Sequence, residues 1–135
     1  MNRSLLIAYQ WMTGLSDTLT GTLLYVAPWF ALRLMGVHAP ADAAPWVGYI
    51  GAFVLSVGLA GLYGVHLVSI RASIERIETV WLLTAFSRAA VVVYLFKCIL
   101  AGQIEPAWMS VVLFDGACVL VQAIGLRKRW LAHAQ

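Results

Sequence analysis

Trp46-Val47-Gly48-Tyr49-Ile50-Gly51-Ala52-Phe53-Val54-Leu55-Ser56-Val57-Gly58-Leu59-Ala60-Gly61-Leu62-Tyr63-Gly64-Val65-His66-Leu67-Val68-Ser69-Ile70 carries no aspartate, glutamate, lysine or arginine. At 1.5 Å per residue this run makes a helix of roughly 37 Å, enough to cross a hydrocarbon core about 30 Å thick with some tilt. The sequence on either side repeats the pattern. Apolar runs at 79–101 and 106–126 hold Arg88 and Asp115 deep inside them, and a longer run at 5–34 contains Asp17. Pro106 suits the first turn of a helix, where its missing donor is not needed. The stretch 5–34 exceeds one straight crossing and is expected to tilt, or to bend near Pro28.

Composition agrees with these spans. The 135 residues amount to one domain by length, and 62% are hydrophobic against 11% charged. A soluble domain carries about a quarter charged residues, and the mean hydropathy of +0.86 points the same way. The six Trp include several near the ends of the apolar runs, where an amphipathic ring prefers the headgroup level. The net charge of +3 fits cytoplasmic anchoring residues better than nucleic-acid binding. Two cysteines without a CxxC exclude a disulfide scaffold and a four-cysteine metal site. The start, Met1-Asn2-Arg3-Ser4-Leu5-Leu6-Ile7-Ala8, begins like a signal peptide. Its apolar run is soon broken by Gln10, Thr13 and Asp17, so it reads as a retained helix.

The expectation is an all-α, single-domain membrane protein: a four-helix bundle over residues 1–135 with sequential helices packed as antiparallel neighbours. Four crossings place both termini and the linker at 71–78 on one side. That side holds Arg3, Arg71, Arg76, Arg127, Lys128 and Arg129; the other holds Arg33, with Lys97 snorkelling toward it. The bias puts both termini on the cytoplasmic side, and a bacterial inner membrane is the expected location. The outer loop His38-Ala39-Pro40-Ala41-Asp42-Ala43-Ala44-Pro45 offers Asp42 as a cap for the second helix. The linker reads as an amphipathic helix in which Arg71 and Glu75 pair, and the closing Arg127-Lys128-Arg129 as a lipid-facing anchor.

Counting from the inner boundary, Asp17, Arg88 and Asp115 fall at a similar depth, roughly 15–18 Å in. A charge there costs about 2.5–3.5 kcal/mol if unpaired, so Arg88 is expected to bridge the two carboxylates with its planar fork of donors. Two readings follow. The cluster locks the bundle and does nothing else, or its formal charge of −1 lets a carboxylate take up a proton or a basic ligand.

Polar and small residues extend the pattern. Gln10, Gly14, Asp17, Gly21 and Pro28 recur at spacings of three, four and seven, and Asp115, Cys118 and Gln122 at three and four, so each set shares a helix face. Gly51, Gly58, Gly61 and Gly64, with Ser56 and Ala60, give the second helix a smooth surface for close packing or for a flat cofactor. His66, about one turn inside the inner boundary, could donate to a quinone carbonyl. His38 in the outer loop and His133 in the tail are at other depths, which argues against a bis-histidine haem. Cys98 and Cys118 sit at different levels and read as small apolar packing residues. No phosphate loop, zinc spacing or nucleophile elbow is present, so neither a metal nor a catalytic residue is expected.

Gly14-Leu15-Ser16-Asp17, Thr20-Gly21, Arg33-Leu34-Met35-Gly36 and Leu113-Phe114-Asp115-Gly116 leading to Leu126-Arg127-Lys128 give the chain a layout that resembles the DoxX-like group of small four-helix bacterial membrane proteins. Some members are membrane subunits associated with quinone-linked oxidation. Minimal loops, no complete cofactor site and the glycine-rich second helix point to a non-catalytic accessory subunit of a larger bioenergetic or transport assembly, and the resemblance adds to a quinone-proximal reading, with quinone, bound lipid or another lipophile as ligand. Membrane lipids and other membrane subunits, or further copies of the chain, are the expected partners. The alternative expectation is a small proton-coupled transporter acting as a homo-oligomer. A membrane enzyme ranks last, because no nucleophile is paired with a base.

Overall fold

The computed structural model describes residues 3–132. The terminal residues, His133 among them, lie outside the described residues. The chain runs through α1 (Arg3–Val26), α2 (Pro28–Leu34), α3 (Ala44–Ser69), α4 (Ile74–Leu100) and α5 (Met109–Arg127), with 3-10 turns at Ala41–Ala43 and Pro106–Trp108. The fold is all-α. The helices Ala44–Ser69, Ile74–Leu100 and the continuous stretch Pro106–Arg127 are long and apolar enough to cross a membrane, which gives the chain multi-pass membrane character. The helix α1 is long but more polar.

The stretch expected as one helix over 5–34 is two. Proline disfavours helical backbone at the residue before it and brings no N–H of its own. Ala27 accordingly leaves the helix at φ −136 and ψ 62, and Pro28 restarts it in its first turn. The break is one residue wide: the Ala27 N–H still donates to the Leu23 carbonyl at 2.8 Å, and the Ala27 carbonyl accepts from Phe30 and Ala31.

Two further expectations are corrected. The fourth helix of the structure begins at Ile74, not 79, because the amphipathic linker continues directly into the apolar run. Arg71 stays outside it at φ 53, so its expected pairing with Glu75 is not set up, and no such ion pair forms among the described residues. Asp42 does not cap α3 either. It sits within the 3-10 turn, and α3 starts from Ala43 with no side-chain cap.

The tightest packing joins α1 to α3, and α4 packs closely on α5. The glycines explain the first pair. A Cβ on Gly21 would collide with the Leu55 backbone, one on Gly58 with Thr18, one on Gly51 with Tyr25, and one on Gly14 with Leu62. Partners fall along α1 as they rise along α3, so the helices are antiparallel with their backbones nearly in contact. Gly61 meets Gly14 in the same seam, and Gly64 leaves room for the Gln10 side chain.

Each end of the bundle is apolar. Leu6, Leu67, Val68, Ile77, Trp81 and Leu131 close one end, and Leu24, Ala31, Leu32, Val37 and Val47 the other. Between these clusters the buried residues turn polar: Gln10, Thr13, Asp17, Thr84, Arg88 and Gln122. Large apolar side chains such as Leu19, Phe53, Leu59, Phe86, Leu113 and Leu120 point outward instead. That inversion suits a chain whose solvent is lipid.

Candidate functional site

The polar layer is built from three helices. Asp17 projects from α1, Arg88 from α4 and Asp115 from α5. The Arg88 guanidinium donates through Nη1 to Asp115 Oδ1 and through Nη2 to Asp17 Oδ2. The Arg88 side chain is 6% exposed, Asp17 10% and Asp115 14%, so water cannot dilute the pairing from outside. The Arg88 Cζ also lies 5.8 Å from the Phe114 ring centroid, over its face. One cation shared by two carboxylates leaves a formal charge of −1.

A second set of polar side chains continues this layer toward the end closed by Trp81. The Gln122 amide Nε2 donates to Thr84 Oγ1 at 2.8 Å, and the Thr84 hydroxyl donates to the Val80 carbonyl at 2.8 Å. The Tyr9 hydroxyl donates to the Cys118 carbonyl at 3.2 Å, tying α1 to α5. Its ring lies 5.6 Å from that of Trp81, tilted by 56°. Gln10 fills the space that Gly64 leaves open. Beside these groups is a cavity of about 10 Å³, bordered by Tyr9, Gln10, Trp81, Thr84, Arg88 and Gln122.

No protein family matches this chain, and no curated protein or solved structure matches it.

Of the residues singled out from the sequence, the structure places Gln10, Asp17, Arg88, Asp115, Cys118 and Gln122 in or beside one layer. Cys118 contributes its backbone carbonyl there, and its thiol is buried and free, as is that of Cys98. Gly14, Gly21, Gly51, Gly58, Gly61 and Gly64 all fall in or beside the α1–α3 seam. His66 is not part of this group. It is exposed on α3 and stacks on Tyr63, with ring centroids 6.3 Å apart. Among the described residues no three His, Cys, Asp or Glu side chains gather as a metal site.

Sequence reading missed Tyr9, Trp81 and Thr84. A signal exists for each: Tyr9, Thr13 and Asp17 are spaced by four, and Trp81, Thr84 and Arg88 by three and four, so each set shares a face with its charged residue. The loops before α3 and α5 also hold a tie that spacing could not announce. Glu105 Oε2 accepts the His38 backbone N–H at 2.9 Å, and its other oxygen lies 3.4 Å from His38 Nδ1.

Proposed function

We propose that the chain is a non-catalytic membrane subunit: a four-crossing bundle with α1 as the fourth span and both termini on the cytoplasmic side of a bacterial inner membrane. One observation carries the reading: Arg88 is held by Asp17 and Asp115 at once, across three helices. A guanidinium committed to both carboxylates fixes helix register and rotation, and truncating one member strands a buried charge. The polarity of α1 supports its place as a span. Gln10, Thr13 and Asp17 face inward, whereas Leu5, Met12 and Leu19 face outward. The basic residues at the ends of α3 and α5, with Arg3, support the orientation.

The working surface is then the outside of the bundle. The interior cavity, at about 10 Å³, is far too small for a quinone ring or a transported solute. A lipophile would instead meet the outward Tyr63–His66 stack, and partner subunits the outward apolar side chains. The resemblance to DoxX-like proteins supports the same role, an accessory subunit of a bioenergetic or transport assembly.

Mass spectrometry of the intact protein, extracted gently from its native membrane, tests this. A stoichiometric complex with foreign membrane chains is the expected result. A monomer or homo-oligomer that carries proton-coupled flux in vesicles, lost in Asp115→Asn at equal expression, overturns it.

A further inference from the structure

Three residues that border the interior cavity each carry a buried polar atom with no hydrogen-bond partner among the described residues: Gln10 Oε1, Gln122 Oε1 and Trp81 Nε1. Their residues are 3%, 5% and 1% exposed, so neither bulk water nor headgroups reach them. Leaving one such group unpaired costs about 1–3 kcal/mol. Among the described side chains only Thr18 Oγ1 shares this condition, and Thr18 does not border the cavity. The concentration of the other three around one small space is what needs explaining.

The direction of the Gln122 amide is fixed by its neighbours. The Thr84 hydroxyl proton is directed to the Val80 carbonyl, so Thr84 Oγ1 receives the Gln122 N–H. The amide oxygen is therefore the unpaired end. The residues bordering the cavity thus bring two unpaired carbonyl-type acceptors, one unpaired indole donor and the guanidinium of Arg88. A metal cation is opposed by the indole N–H and by Arg88. An anion is opposed by the two amide oxygens. An apolar guest would satisfy none of the groups. About 10 Å³ of space open to the centre of a water-sized sphere is close to the minimum for one water molecule.

We propose that this cavity is a binding site for a single water molecule, which donates to Gln10 Oε1 and Gln122 Oε1 and accepts from Trp81 Nε1. Its second lone pair is left for Arg88. The water joins α1, α4 and α5 through neutral groups one layer away from the place where the ion pairs join them. It also links the amide layer to the charged layer in one hydrogen-bonded unit. The site is a property of the monomer and goes beyond the subunit reading, whichever assembly the chain enters.

The test is NMR on the full chain in micelles with 15N-labelled tryptophan, the Trp81 indole being assigned by its loss in Trp81→Phe. A cross-peak from that indole N–H to the water frequency is expected, with opposite signs in NOE and ROE spectra, the mark of a long-lived neighbour. It should persist in Tyr9→Phe, which removes a nearby hydroxyl that is not among the proposed water's partners. Val80→Ile, which extends a side chain bordering the cavity, should abolish it. No cross-peak in the unmodified protein overturns the proposal. So does one that disappears in Tyr9→Phe, since relayed exchange through that hydroxyl then accounts for it, or one that keeps full strength in Val80→Ile.

Discussion

Arg88 on α4 donates to Asp17 on α1, 71 positions earlier in the chain, in a contact with almost no exposed surface. The same guanidinium serves Asp115 on α5, so the three side chains form one unit. Removing the cation should therefore cost more than removing the whole unit. Arg88→Met leaves two buried carboxylates facing each other and is expected to destabilise the protein by about 3–5 kcal/mol. The triple variant Asp17→Asn, Arg88→Met, Asp115→Asn should recover most of that loss. Unfolding in mixed micelles, followed by circular dichroism, measures both. Equal losses in the single and triple variants would refute the account.

The glycines of the α1–α3 seam differ from those elsewhere in what lies beside them. A Cβ at Gly21 or Gly58 would strike the backbone of the facing helix, which no rotamer change relieves, whereas one at Gly116 meets nothing within 4 Å. Gly21→Ala and Gly58→Ala are expected to lower stability by at least about 1–3 kcal/mol through forced separation of the helices. Gly116→Ala should be neutral or gain up to about 1 kcal/mol from helix propensity. Thermal midpoints of the three variants in one detergent decide it, and a loss at Gly116 matching that at Gly21 would contradict the packing argument.

These contrasts show what a sequence contains and what it lacks. The all-α character and the long apolar helices are legible because hydrocarbon imposes its thickness directly on the length of an apolar run. The meeting of Asp17, Arg88 and Asp115 rests on equally simple depth counting. Angular position on a helix is harder to read. His66 follows Gly64 by two positions, about 200° around a helix of 3.6 residues per turn. With Gly64 against α1, His66 must point outward. The partners of α3 have to be known before that phase can be set. Tyr9 and Trp81 escape notice for a related reason: each shares a helix face with its charged residue, but what that face meets is set only when the bundle closes. The division at Ala27 is the local case, in which proline chemistry alone decides between bend and break.

Helix ends differ between the two faces of the bundle. Gly36 and Gly102, at φ 68 and 65, follow the last turns of α2 and α4. Arg71 and Arg129, at φ 53 and 50, occupy the equivalent places after α3 and α5. All four ends are closed by the same pair of bonds; after α3 these run from Ala72 N–H to the Leu67 carbonyl and from Arg71 N–H to the Val68 carbonyl. Left-handed backbone costs a residue with a Cβ about 1–2 kcal/mol, part of which glycine returns as lost chain entropy. Arg71→Gly and Arg129→Gly are thus each expected to raise stability by up to about 1 kcal/mol in neutral detergent, read as a higher thermal midpoint. A drop at both sites would mean that the side chains hold these ends by contacts worth more than the strain.

The His38–Glu105 tie joins the loop before α3 to the loop before α5, and its side chains are exposed, at 90% and 41%. Exposed ion pairs contribute little, about 0–1 kcal/mol, but Glu105 Oε2 also holds the His38 backbone N–H at 2.9 Å. Glu105→Ala should therefore leave the thermal midpoint within a degree or two while the His38 amide exchanges with solvent several-fold faster. Glu105→Gln keeps an acceptor and should restore most of the protection. Amide hydrogen exchange resolved at His38 distinguishes the two contributions. Equal acceleration in both variants would assign the tie to charge rather than to the backbone hydrogen bond.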